Sequence, residues 1–175
     1  INENVKAKFD GNRNLSKSEK LYRIKYFHMT YHNEINVTLN KMDNYFSCKT
    51  ALICIHSFTS SLQNKIKRPW EIGLLYRDDK RLYKPLLKYL SDNTKYKIGK
   101  NKPYSGYEDV NYTMTRHGEL EQRPYISIEI RNDIFEEKNL SRLKDLYLSI
   151  SNAIYYSQIE LGAPYNTFAK KLNLF

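Results

Sequence analysis

The sequence predicts an α/β fold with helices on both faces of a central sheet. Three observations carry that expectation. A capping box followed by apolar residues at helical spacing opens the chain. An unbroken apolar strand comes next, and helical and strand-like segments then alternate to the far end.

The first helix begins at Ser16, where SKSE offers a hydroxyl and the Glu19 carboxylate to the orphan amides of the first turn. Leu21, Ile24, His28, Tyr31, Ile35, Leu39 and Met42 recur at three- and four-residue steps, one face of a long amphipathic helix that DNYFSCK ends. Thr50–His56 does not alternate, so it reads as a strand buried on both faces. Trp70–Tyr76, WEIGLLY, reads as a second strand. Asp79 caps a helix running to about Leu90, which Pro85 kinks or delays. Tyr96–Gly99 is a short strand before the loop NKPYSGYED, and Val110–Gly118 has no decisive period. Tyr125–Arg131, YISIEIR, is a strand whose period of two puts Glu129 and Arg131 on one side. A last helix from about Ser141 to Leu161 turns Leu143, Leu146, Tyr147, Ile150 and Ile154 inward.

Composition sets the outer limits. A chain of 175 residues, 41% hydrophobic and 27% charged, forms one globular domain over residues 1–175. No apolar run approaches the ~20 residues of a membrane span, and the polar opening INENVKAKFDGNRN is no signal peptide. A start at Ile1 rather than Met points to a piece of something longer. Cys48 and Cys54 have neither metal nor disulfide spacing, which suits a reducing cytoplasm. The net charge of +10 raises the question of nucleic acid. Acids are interspersed with the cations, however, as in KSEKLYR and RDDKR, and no basic block or nucleic-acid module appears. The charge therefore implies attraction to anions without naming a partner.

In open α/β sheets, ligands bind beyond the carboxyl ends of the strands. His56 ends one strand and Glu129 lies near the end of another. His56 is either a hydrogen-bonded imidazole or a metal ligand. Glu129, flanked by isoleucines, is costly to bury without a partner. It is either ion-paired with Arg131 or a general base whose burial raises its pKa. His28 and His32, in HMTYH, have the i, i+4 spacing of a helical chelate but lack the glutamate of the zincin signature, so His28 reads as packed on the apolar face. Arg116 and His117, the loop Asn101–Gly106 with Tyr104, and Arg68 in KRPWEIG offer polar groups to an anionic substrate.

HSFTS, RPWEIGLLY, NKPYSG, TRHGE and IEIRND, in this order and at these intervals, resemble the N-formylglutamate amidohydrolase family. GNRNLSKSEKLYRIKYFHMTYH is similar to that family's helix with a closing Tyr-His, and the resemblance runs from about Asp10 to about Asp133. It implies kinship with zinc carboxypeptidases and aspartoacylase. The implied fold is a three-layer αβα domain, phosphorylase/hydrolase-like, with a mixed twisted sheet and an incomplete N-terminus. The implied site holds one catalytic zinc ion with His56 as a ligand, Glu129 as general base and Arg131 as a catalytic cation. Arg116, His117, Tyr104, Arg68 and Asn101 would bind substrate, which the resemblance makes N-formylglutamate or a similar N-acyl amino acid.

The chain departs from the family pattern in places. No counterpart of the family's early metal-binding segment precedes Asp10, so one zinc ligand is visible where catalytic zinc takes three. Ser60 and Thr30 stand where the family favours proline, and Lys102 where it favours an acid. Little activity and weak zinc binding are therefore expected of this chain alone, with a missing N-terminal segment or chain as the completing partner. The alternatives are a catalytically dead remnant or a basic protein that binds anions or nucleic acid. Neither a membrane nor nucleic acid is an expected partner on the main reading.

Overall fold

The computed structural model describes residues 10–61, 66–108, 111–136 and 140–162. Strands β1 (Leu52–Phe58), β2 (Ile72–Leu75), β3 (Ile98–Lys100) and β4 (Tyr125–Arg131) form one sheet in the order β1-β4-β2-β3. β1 runs parallel to β4, β4 antiparallel to β2, and β2 parallel to β3. The architecture is α/β, a mixed four-stranded sheet flanked by helices.

β4 separates two chemistries. Its Ile126, Ile128 and Ile130 join Ile72 and Leu74 in the core, against α3 (Tyr83–Asn93) through Leu86 and Leu90 and against α5 (Leu140–Glu160) through Leu146, Ile150 and Ala153. Each such side chain contributes roughly 1.5–3 kcal/mol on burial. The strand's period of two sends Tyr125, Ser127, Glu129 and Arg131 to the opposite face. A short helix, α4 (Asp133–Glu136), follows β4 directly and buries Ile134.

Several elements differ from expectation. β1 is an edge strand rather than one buried on both faces: Ala51 and Ile53 pack on the core, while Ile55 is 57% exposed and His56 and Ser57 face solvent. An apolar run fixes strand type, but the order of strands in the sheet decides its cover. α3 starts at Tyr83, and the Asp79 carboxylate instead accepts the backbone amide of Arg81 (2.9 Å) and pairs with its guanidinium. Pro85 falls in the first turn, where a missing N–H breaks no intrahelical bond. Tyr147 is 55% exposed, and Ala153 and Ser157 complete the inward stripe of α5. The undecided segment contains a π-helical turn, Met114–Glu119; Val110 lies outside the described residues.

The long helix begins as expected, with Ser16 Oγ accepting the Glu19 amide (3.1 Å). It comprises α1 (Lys17–Arg23), a π-helical turn Ile24–Met29 and α2 (Thr30–Phe46), and ends at Ser47 with φ 54°. Its buried residues are His32 and Leu39, whereas Leu21 and Tyr31 are exposed. Just after the π turn His32 rather than Tyr31 is the buried position, while Ile35, Leu39 and Met42 keep the expected side.

A buried ion pair fastens α2 to the sheet. Arg123, 1% exposed, donates through Nη1 to Asp43 Oδ1 (3.1 Å) and to the Thr50 carbonyl (2.9 Å), and through Nη2 to Asp43 Oδ2 (3.2 Å). Asp43 also accepts the Thr50 amide (2.6 Å). Burial raises the Asp43 carboxyl, but the hydrogen bonds from Arg123 and Thr50 outweigh it and hold the group below its ordinary range. Removing one partner strands the other charge in a dry site. Asp43→Ala should therefore lower the unfolding free energy by about 3 kcal/mol in urea denaturation; a loss below about 0.5 kcal/mol, the usual surface value, would show the pair to be dispensable.

Candidate functional site

The sheet register builds one row across four strands. His56 of β1 aligns with Glu129 of β4, Glu129 with Gly73 of β2, and Gly73 with Gly99 of β3. Aligned residues of neighbouring strands point to the same face, so the imidazole and the carboxylate stand side by side on backbones about 4.8 Å apart. The two glycines leave the rest of the row bare. The chain after β3 folds back over them: a Cβ at either glycine would collide with the Lys102 carbonyl, and one at Gly73 would also crowd Glu129 Cβ.

Glu129 is 6% exposed, and its Oε2 has no hydrogen-bond partner among the described residues. Burial raises its pKa from 4.5 to about 7, with the nearby Arg68 guanidinium pulling the other way. Arg68 reaches it from the segment that precedes β2. Its Nη1 donates to the Thr59 carbonyl (3.1 Å), Thr59 Oγ1 (3.1 Å) and Tyr104 Oη (3.2 Å), and the guanidinium stacks over the rings of Phe58 and Tyr104. The structure thus brings His56, Glu129, Arg68 and Tyr104 into one constellation.

Other residues singled out in the sequence are placed differently. Of the two readings of Glu129, the ion pair with Arg131 does not form: Arg131 donates through Nε to Asp133 Oδ1 (2.7 Å) and through Nη1 to the carbonyls of Arg68 (3.1 Å) and Trp70 (3.2 Å). Asn101 shapes the loop rather than facing its contents. At φ 50°, its Oδ1 accepts the amides of Tyr76 (2.9 Å) and Gly106 (3.1 Å), and its own amide donates to the Leu74 carbonyl (2.9 Å).

Arg116 and His117 belong to a second constellation. Gly118 lies against the Tyr125 ring, four residues and about 13 Å of strand from Glu129. His117, 2% exposed, shares a hydrogen bond between its Nε2 and His32 Nδ1 (2.9 Å), and His32 meets His28 and Tyr112 edge to face. Arg116 Nη1 donates to Tyr112 Oη (3.2 Å). Burial, helped by the charges of neighbouring His28, His117 and Arg116, lowers the His32 pKa from 6.5 to about 4; burial, with Arg116 and Arg123, also lowers that of His117. The i, i+4 histidines were visible in HMTYH, but their joining to His117 depends on a contact 85 residues away.

Among the described residues, no three His, Cys, Asp or Glu side chains stand where they could hold a metal ion. His56 brings one exposed imidazole and Glu129 an unpartnered carboxylate oxygen, short of the three protein ligands of catalytic zinc. The described residues therefore do not make a zinc site. What the arrangement can do by itself is take a proton, at a carboxyl titrating near neutrality, and stabilise negative charge at a guanidinium.

Two stability measurements follow from these environments. An unfolded glutamate ionises near pH 4.5 and the native Glu129 near 7, so wild-type stability falls as pH rises across that window. Glu129→Gln should melt higher than wild type at pH 8, with the gap closing toward pH 4; a lower melting temperature at pH 8 would mean that the carboxylate is paired after all. His32 has the opposite sign: its contribution is full above pH 6.5 and is lost as pH falls toward 4. His32→Gln should lose less stability than wild type over that acid window, and parallel curves would show that the pair does not resist protonation.

The sequence model of the N-formylglutamate amidohydrolase family matches residues 3–136. A search of curated proteins finds none that matches. Among solved structures, the gene product Atu2144 from Agrobacterium tumefaciens superimposes with a TM-score of 0.71 at 24% identity, covering 83% of this chain and 57% of that one. The N-formylglutamate amidohydrolase from Ralstonia eutropha JMP134 gives 0.60 at 22% identity, covering 82% of this chain and 58% of that one. At these identities the likeness is one of fold, and this chain spans less than three-fifths of either solved protein. The family match extends over more than half of the 175 residues, and the chain belongs to the N-formylglutamate amidohydrolase family.

Proposed function

We propose that the His56–Glu129 face is the reaction centre of an amidohydrolase acting on N-formylglutamate or a similar N-acyl amino acid. The observation that carries the reading is the partly dry Glu129 carboxylate, unpartnered at Oε2 among the described residues, aligned with His56 and near the Arg68 charge. A base that titrates near neutrality is matched to taking a proton from water at physiological pH. Water adds to the acyl carbonyl, Glu129 takes its proton, and the carbon–nitrogen bond breaks as that proton passes to the leaving amine. The products are the free acid, formate for a formyl group, and the amino acid. Arg68 supplies positive charge for the tetrahedral oxyanion.

The zinc of the family enters as a further part of this proposal. With one imidazole to offer from the described residues, this chain by itself binds zinc weakly and turns substrate over slowly. Among the described residues no strand pairs with the outer edge of β1 beside His56, and a further segment or a second chain docked there would complete the ligand set. No helix among the described residues is long and apolar enough to cross a membrane.

Formate release from N-formylglutamate, with and without added zinc, tests the reading together with zinc binding by calorimetry. Expected are weak zinc binding, slow turnover that rises with pH through about 7, and a loss of roughly 10²-fold or more in Glu129→Gln. Hydrolysis by Glu129→Gln at the wild-type rate would overturn the base assignment. Tight stoichiometric zinc with rapid turnover would overturn the incomplete-site part.

A further inference from the structure

Arg131 is the most heavily committed side chain near the site. Its side chain is 8% exposed. Nε is taken by Asp133 Oδ1 (2.7 Å), Nη1 is forked between the Arg68 and Trp70 carbonyls (3.1 and 3.2 Å), and Nη2 faces Glu71 Oε1 (3.8 Å). Both acids are themselves held. Asp133 is also approached by Lys67 (3.4 Å), and Glu71 accepts Arg142 Nη2 (2.7 Å) and the Lys97 amide (3.0 Å). The end of β4 is thereby stitched to the segment that leads into β2, a stretch without regular secondary structure from Ile66 to Trp70 apart from one isolated bridge at Lys67.

We propose that Arg131 is a positioning residue for Arg68: by clamping the Arg68 and Trp70 carbonyls it fixes the backbone from which the Arg68 guanidinium reaches Thr59 and Tyr104 and sets its charge near Glu129. The proposal rests on the reading of Glu129 and Arg68 given above. Arg131 itself does not touch substrate on this proposal: its Nε and Nη1 are engaged by protein acceptors and its Nη2 faces Glu71. The rigid guanidinium holds the two carbonyls at Nη1 and Asp133 at Nε in one fixed plane, an arrangement that a lysine ammonium, a single flexible point of charge, does not reproduce. Arg68 is a long side chain with many rotamers, and without a fixed root its charge would be spread over a volume instead of aimed at one atom. Loss of that aim affects an interaction made in the transition state, so it lowers kcat and leaves KM nearly unchanged.

The test uses Arg131→Lys, which keeps the charge beside Asp133 and removes the fork. Two readouts are followed: the Arg68 Nε–H resonance, which needs no turnover, and hydrolysis of N-formylglutamate in Arg131→Lys, Arg68→Ala and the double variant. The proposal predicts loss of the distinct Arg68 signal, a fall in kcat of roughly 10-fold with KM unchanged, and a double variant no slower than Arg68→Ala alone. An unaltered Arg68 signal, or effects that multiply in the double variant, overturns it. If Arg131→Lys does not fold, Asp133→Asn loosens the same clamp from its other end and must shift the Arg68 signal in the same direction; an unshifted signal overturns the proposal equally. These outcomes are separable from failure of the base assignment, which shows as wild-type hydrolysis by Glu129→Gln whatever Arg131 does.

Discussion

The parallel pairing of β1 with β4 is the constraint on which the site depends. Because side chains alternate faces along a strand, a slip of one residue would carry His56 to the opposite side of the sheet from Glu129. The core prevents that slip. Ile126, Ile128 and Ile130 are packed against α3 and α5, and Ala51 and Ile53 sit against the same cluster from β1. Apolar packing on one face thus sets which polar groups meet on the other. The same logic places Gly73 and Gly99 in line with Glu129, which lets the Lys102 carbonyl and the loop carrying Tyr104 lie close over the row.

That polar face is costly to maintain. Glu129 Oε2, Ser127 Oγ and Tyr125 Oη, successive residues on one side of β4, are all buried without a hydrogen-bond partner among the described residues. Buried polar groups are ordinarily satisfied, and three orphans in line mark a surface shaped for something other than stability. The compensation lies elsewhere: an apolar opposite face, the Arg123–Asp43 pair at the foot of α2, and the Arg131 network at the end of β4. Both arginines use the same device, a buried fork that binds backbone carbonyls as well as a carboxylate, and both tie distant segments to β4.

Local patterns made the strands, the Ser16 cap and the pairing of chemistry at His56 and Glu129 legible in the sequence. What stayed hidden was set by long-range placement. The apolar run of β1 looks the same at an edge as in the middle of a sheet, so the exposure of Ile55 could not be read from it. Period two placed Glu129 and Arg131 on one side but said nothing of Asp133 and two carbonyls competing for the guanidinium. Arg123, next to Pro124 at the head of a buried strand, carried no periodic signal, and its partner Asp43 lies 80 residues earlier. His32 rather than Tyr31 faces inward just after a π turn, a local detail that helical spacing averages away.

The proposed site stands or falls with Glu129 held in a partly dry place beside His56, unpaired among the described residues and poised to exchange a proton at neutral pH. Titration of the Glu129 carboxyl carbon by NMR addresses it most directly. The account predicts a midpoint near 7, moved further upward when Arg68 is replaced by alanine. A midpoint near the ordinary 4.5, insensitive to Arg68, would mean that the carboxylate is solvated or paired and that this face is not the reaction centre.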